Sequence, residues 1–270
     1  MDFKEHVSVI TGASSGIGEA LAHDLAAQGA WLALAARDAE KLAGVAERCL
    51  ILGHDSSCRV LSVPTDVTRE DDCHKLIERT VAEYGRVDML INNTGLSMRM
   101  RLEDVQDLST LEYLTRVNYF GSMYCTYYAL PFLKQSRGRI VANASVAGGT
   151  GIPTRTGYSA SKHAMVGFFE SLRIEVEEDG ISVTIAYPDY VGSGFHTRSL
   201  GADGKPLGTN PLRLDKVMTS EECARLILQA AAARKRQVIM TNRSRLGRWL
   251  KLIAPGMVDR ITKKAIISGK

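Results

Sequence analysis

The chain has 270 residues, 45% of them hydrophobic and 24% charged, a balance ordinary for a soluble globular protein and long enough to bury a substantial core. Its net charge of +4 is uneven: residues 243–270 carry +7, which leaves −3 on residues 1–242, so the main body does not read as a nucleic-acid binder. Five scattered cysteines without a CxxC pair argue against a disulfide framework or a metal site, and the lack of an export-type h-region or a membrane-length apolar run predicts a cytoplasmic protein.

Strand-like and helix-like segments alternate. VSVITG (7–12) is apolar and β-branched, and a helical stretch follows from Gly18 to Gln28. AWLALAA (30–36) reads as a second strand and DAEKLAGVAERCLILG (38–53) as a helix. RVLSVPTDV (59–67) and VDMLINNTG (87–95) are further strands, with the helical REDDCHKLIERTVAEYG (69–85) between them. Helices near 104–133 and 156–178 bracket the strand GRIVANAS (138–145), and ISVTIAYP (181–188) is a sixth strand. Short apolar strands between amphipathic helices indicate a parallel sheet covered on both faces. Residues 191–214 break the rhythm; they are rich in Gly, Pro, Asn and Asp and predict a long loop or lid, with Gly192–Gly194 as a candidate hinge. A helix from Ser220 to Arg234, a strand-like QVIMT (237–241) and a basic tail complete the chain.

The first chemical signal is TGASSGIGEAL (11–21), where Gly12, Gly16 and Gly18 lie between strand and helix. Glycine lets the backbone turn sharply and approach a pyrophosphate, and the following helix offers its N-terminal amides to the anion. The end of the second strand then selects the dinucleotide. Ala36 stands where a carboxylate would accept the ribose 2′-hydroxyl of NAD, and Arg37 follows, which favours NADP(H). Asp38 can partly neutralise Arg37, and Ser14 and Ser15 supply no second cation.

The second signal is Tyr158 in GYSASKHAM (157–165), with Lys162 one helical turn on. A free phenol, with a pKa of about 10, exchanges protons poorly at neutral pH. A nearby cation favours the phenolate and lowers that value, which suits an acid–base catalyst of carbonyl reduction.

Read together, TGASSGIG, TDV with Asp66, NNTG at 92–95, Asn118 in RVNYFGS, Ser145 in NASVAGG and YSASK resemble the short-chain dehydrogenase/reductase family, from Thr11 to about Ser193. The resemblance implies a single Rossmann-type, doubly wound parallel sheet with helices on both faces. It implies a catalytic set of Asn118, Ser145, Tyr158 and Lys162: Tyr158 as general acid/base, Lys162 holding the nicotinamide ribose, Ser145 binding the substrate oxygen, and Asn118 supporting a water relay. Cofactor contacts are implied for Gly12, Ser14, Ser15, Gly16, Ile17, Gly18, Arg37, Asp66, Val67, Asn93, Gly95, Tyr158, Lys162, Pro188, Val191 and Ser193. The family association is a homodimer or homotetramer through the helices that carry Asn118 and Tyr158.

The chain departs from the family pattern twice. Thr94 replaces the usual alanine of NNTG, a change that suits a strand. Asp189 replaces the usual glycine after Pro188, where it either stabilises a cationic nicotinamide or points away. Residues expected to face the substrate are Ser145, Val146, Ile152, Tyr158 and Tyr190, with Met98 and Met100; their apolar character suits a lipophilic carbonyl compound. In the tail, Leu246, Trp249, Leu250 and Ile253 recur at helical spacing, Pro255 and Gly256 interrupt, and Val258, Ile261 and Ala265 follow. These faces cover the substrate site or a neighbouring subunit, or lie on a membrane surface as a peripheral contact.

The reading is thus an NADP(H)-dependent oxidoreductase interconverting a carbonyl compound and an alcohol. Its alternatives are an NAD-linked short-chain alcohol dehydrogenase and a catalytically weak nucleotide-binding regulator on the same fold. No metal and no nucleic acid are expected. Residues 1–242 form the catalytic domain and 243–270 a basic amphipathic extension.

Overall fold

Apolar strands that alternate large side chains between two faces need cover on both, and the chain supplies it. A computed structural model describes residues 3–54, 57–209 and 217–267. Seven strands pair in parallel: β1 (Val7–Thr11), β2 (Trp31–Ala36), β3 (Arg59–Pro64), β4 (Met89–Asn92), β5 (Arg139–Asn143), β6 (Ser182–Tyr187) and β7 (Gln237–Ile239). Along β1, β2 and β4, Ile10, Leu32, Leu34, Met89 and Ile91 face one core, while Val9, Ala33, Ala35 and Leu90 face the other. This is the two-sided burial expected of a parallel sheet.

Helices α1 (Gly16–Ala27), α2 (Ala39–Leu52) and α7 (Ser220–Ala232) cover the first face through Leu21, Leu25, Leu42, Ile227 and Leu228. Helices α3 (Glu70–Tyr84), α5 (Gly121–Ser136) and α6 (Thr156–Glu175) cover the second through Leu76, Ile77, Ala129, Leu133, Phe169 and Leu172. The ends are locally encoded. Asp38 caps α2 by accepting from Lys41 N, Thr219 caps α7 by accepting from Glu222 N, and Gly85 closes α3 at φ +75°. The strand order is β3-β2-β1-β4-β5-β6-β7. The order reverses between β1 and β4, so a crevice opens at their carboxyl ends, where open α/β sheets bind ligands.

Three features differ from the sequence reading. The helix expected over 104–133 is α4 (Ser109–Thr115), a π-helical turn (Arg116–Phe120) and α5. Periodicity does not register one wide turn inside an otherwise helical run. The loop after β6 is partly ordered: a 3₁₀ turn spans Phe195–Arg198, and bridges tie Met98 to Leu200 and Val191 to Met218. Residues 210–214 of the expected loop lie outside the described residues. The tail forms α8 (Asn242–Ile253) and α9 (Pro255–Ile267), broken where Pro255 starts a new helix. Its apolar stripe faces away from the cleft: Leu246, Leu252 and Ile253 are exposed, as is Trp249 at 73%. Among the described residues no helix is long and apolar enough to cross a membrane.

Candidate active site

The crevice is a cleft of about 640 Å³ running from the glycine turn to the 3₁₀ turn after β6. At one end Gly12 (φ +66°) and Gly16 (φ +60°) take left-handed conformations open to glycine. A Cβ on Gly16 would lie 2.8 Å from Ser193 Cβ, so Ser193 sits directly on the turn. Ser15 caps α1 without using its side chain, and the first turn of that helix carries one acid, Glu19. The free amides of this turn are a fit for a pyrophosphate. Gly18 does not line the cleft. A Cβ there would meet Gly12 O at 2.1 Å and Asn93 Nδ2 at 2.5 Å, so its part is close packing beneath the turn.

At the far side of β2, Arg37 Nη1 donates to Tyr113 Oη at 2.8 Å. Asp38 does not neutralise Arg37: it caps α2 and pairs with Lys41 Nζ at 2.8 Å. Lys41 lines the cleft on the same segment as Arg37, a cation that neither Ser14 nor Ser15 supplies. An i,i+3 spacing after the capping aspartate was the available signal. Asp66 and Val67 line the same end, and Asp66 Oδ1 accepts from Thr68 N and Thr68 Oγ1.

A line of polar groups crosses the strand ends. Asn93 Nδ2 donates to Thr11 O at 3.0 Å and Gly12 O at 3.1 Å, Asn143 Nδ2 donates to Asn93 Oδ1 at 2.8 Å, and Lys162 Nζ donates to Asn143 O at 2.9 Å. The glycine turn and Lys162 are therefore positioned by one connected set of bonds. Thr94 lies past the end of β4, where its amide donates to Thr11 Oγ1 at 3.1 Å. It thus lies in the irregular segment after β4 and not in the strand expected.

Ser145, Tyr158 and Lys162 converge on the cleft, with Gly95, Pro188, Val191, Val146, Ile152 and Tyr190 around them. Ser145 caps a 3₁₀ turn at Val146–Gly148 and accepts from Ala147 N at 3.2 Å. Tyr158 is 4% exposed; burial raises its phenol above the ordinary tyrosine value, while the neighbouring Ser145 hydroxyl and the charge of Arg155 pull it down. Lys162 is 2% exposed, and burial pushes its amine down to about 7. The groups that lower the phenol here are Ser145 and Arg155, while the Lys162 amine, itself lowered by burial, bonds to Asn143 O.

Asn118 is fully buried behind the cleft, in the π-helical turn. Its Oδ1 accepts from Leu96 N at 2.8 Å, and its Nδ2 donates to Leu96 O and Ser161 Oγ, each at 2.9 Å. It holds the strand-end loop to α6. Met98 and Met100 are buried with Leu114 and Leu200 behind Tyr158 and do not line the wall. Phe195, His196 and Arg155 do. Asp189 points its Oδ2 at α8, accepting from Thr241 Oγ1 at 3.2 Å and from Arg243 Nη2 and Ser244 Oγ at 2.8 Å each. Its φ is not positive, so the position tolerates a side chain.

Residues 6–202 match the family model described as short chain dehydrogenase. The chain is 36% identical to 11-beta-hydroxysteroid dehydrogenase-like 4A of Arabidopsis thaliana, over 93% of this chain and 82% of that protein. It is 38% identical to 11-beta-hydroxysteroid dehydrogenase of Pinus massoniana, over 88% of this chain and 67% of that one. Among solved structures, a short chain dehydrogenase/reductase from Burkholderia phymatum in complex with NAD superposes with a TM-score of 0.81 at 24% identity, covering 95% of this chain and 96% of that one. A short chain dehydrogenase from Burkholderia cenocepacia in complex with NADP gives 0.79 at 22%, covering 97% and 99%. The chain belongs to the short-chain dehydrogenase family.

Proposed function

We propose that this short-chain dehydrogenase, an oxidoreductase of the CH–OH/C=O class, is NADP(H)-dependent and uses Tyr158 as its general acid/base. The observation that carries the reading is the meeting of Ser145, Tyr158 and Lys162 in the same cleft as the glycine turn. When bound, the nicotinamide cofactor supplies or accepts the hydride. Gly12, Ser14, Ser15, Gly16 and Ile17 hold its pyrophosphate, and Asp66, Val67, Asn93, Gly95, Pro188, Val191 and Ser193 line the rest of its path. Ser145 orients the substrate oxygen. Tyr158 Oη delivers a proton to that oxygen in reduction and takes it back in oxidation. Lys162, bonded to Asn143 O, holds the ribose and returns charge to the neighbourhood of Tyr158 when a polar partner restores its solvation. Asn118 acts as a positioning residue, fixing Leu96 and hence Gly95.

Preference for NADP(H) is supported by Arg37 and Lys41 at the ribose end and by the commitment of Asp38 to its own helix. The apolar side chains of Val146, Ile152, Tyr190 and Phe195 support a lipophilic carbonyl substrate, in keeping with relatives named for hydroxysteroids.

Residues 1–242 act as the catalytic domain, with 243–270 as its extension. Exposed Phe120, Tyr127 and Ile174 on and beside α5 and α6 support a homodimer or homotetramer through those helices. The outward stripe of α8 fits a neighbouring subunit better than a lipid surface, because the helix commits its cations to partners within the chain. Arg243 pairs with Asp189, Arg245 donates to Ile239 O, Arg248 stacks 4.7 Å over Tyr187, and Lys251 donates to Gly149 O. Vesicle sedimentation of the intact chain separates the two: pelleting with anionic vesicles overturns this preference.

The cofactor and reaction are tested by titrating NADPH and NADH against protein fluorescence, followed by a panel of ketones and aldehydes. Tighter NADPH binding and turnover of a lipophilic carbonyl are expected. Tighter NADH binding favours the NAD-linked alternative, and binding without any turnover favours a regulator.

A further inference from the structure

Arg155 is 8% exposed and lines the cleft beside Tyr158. Among the described residues its guanidinium has no carboxylate and no hydrogen-bond acceptor; its neighbour is the Tyr190 ring, 5.8 Å from Cζ. A buried cation without a partner is costly, and buried guanidinium groups are ordinarily paired.

Its position adds to that cost. Arg155 is the N-cap of α6, the end of a helix that disfavours a cation. Thr154 before it sits at φ +65°, a left-handed conformation that a β-branched residue resists, and its carbonyl accepts from Met100 N at 2.9 Å. The chain holds this strained turn and delivers Arg155 to the cleft wall.

Among the described residues nothing nearby offsets the charge. Besides Lys162, the cleft lining has four cationic side chains, Arg37, Lys41, Arg155 and Arg198, and three carboxylates. Each carboxylate is already held: Asp38 by Lys41, Asp66 by Thr68 and Asp189 by α8. His196, on the same wall, is kept neutral by burial and by Arg155 and Arg99, with its pKa at about 4.

We propose that Arg155 receives a negatively charged group of the substrate, a carboxylate above all, and so selects anionic carbonyl compounds over neutral ones. The inference rests on the reading of this cleft as the carbonyl site and adds the substrate class. A carboxylate presents two oxygens to the guanidinium fork, while Val146, Ile152 and Phe195 take the apolar body.

The test uses keto acids of increasing chain length, from levulinate upward, each beside its methyl ester, with NADPH as reductant. For at least one length, kcat/KM for the acid should exceed that for the ester by roughly 10- to 100-fold. The ratio should fall to near unity in Arg155→Met and be partly kept in Arg155→Lys. Esters used as well as acids at every length overturn the proposal. So does an equal loss for both in Arg155→Met, which assigns Arg155 to tuning Tyr158. If neither acids nor esters are reduced, the carbonyl reading fails, and equilibrium binding to the NADPH complex decides the anion site separately. Tighter binding of acids that is lost in Arg155→Met then supports the site, and equal binding overturns it. Where Arg155→Met does not fold, the parental acid-to-ester ratio and its change in Arg155→Lys decide.

Discussion

Replacing Lys162 with methionine should make the protein more stable at neutral pH. Burial moves the amine from the ordinary 10.5 down to about 7. Unfolding returns it to water, so between about pH 7 and 10.5 the unfolded chain binds a proton that the folded chain does not. The folded pKa is depressed, so the contribution is fully present above 10.5 and lost as pH falls toward 7. About 3.5 units at about 1.4 kcal/mol each amount to roughly 5 kcal/mol, of which roughly 4 are in force at pH 7. Methionine removes that cost and forfeits the bond to Asn143 O, about 1 kcal/mol. Lys162→Met should therefore gain about 3 kcal/mol at pH 7, a Tm rise of roughly 6 °C, and lose the gain near pH 10.5. Thermal and urea unfolding of both chains across this range, followed by circular dichroism, reads the difference. Parallel stability curves at every pH would refute the reasoning.

Other substitutions probe the remaining contacts. Asp189→Gly removes the acceptor of Thr241, Arg243 and Ser244. It should loosen α8 by about 1–3 kcal/mol, read as faster proteolysis within residues 241–253 at nearly constant Tm; unchanged cleavage contradicts the latch. Gly18→Ala drives a Cβ to 2.1 Å from Gly12 O, which should cost about 3 kcal/mol or more and abolish NADPH binding; parental melting and affinity would show that the turn yields. Arg37→Ala should weaken NADPH about tenfold or more and NADH little; equal effects on both cofactors would remove Arg37 from 2′-phosphate recognition.

Much of this was legible in the sequence because its causes are local. Strand alternation, the capping Asp38 and the glycine turn each depend on residues a few positions apart, and the order of the motifs located Ser145, Tyr158 and Lys162. What escaped depends on distant partners. Nothing around Asp189 indicates that Thr241 and Arg243 wait 52 and 54 residues on. Met98 and Met100 look like pocket wall from their apolar character, yet α4 and the segment after β6 place Leu114 and Leu200 against them. The apolar stripe of α8 reads as a covering face, but the cations on its other side find Asp189, Tyr187 and Gly149 and turn the stripe outward. Arg155 was visible three residues before Tyr158; its lack of a partner was not, since that is a property of everything packed around it.

The central claim is that Tyr158 moves the proton that accompanies hydride transfer. Single-turnover reduction of a ketone by NADPH, compared between the parent and Tyr158→Phe, tests it most directly. The rate of NADPH consumption should fall by about 10³-fold while NADPH affinity stays within about twofold. Parental hydride transfer in Tyr158→Phe would contradict the account.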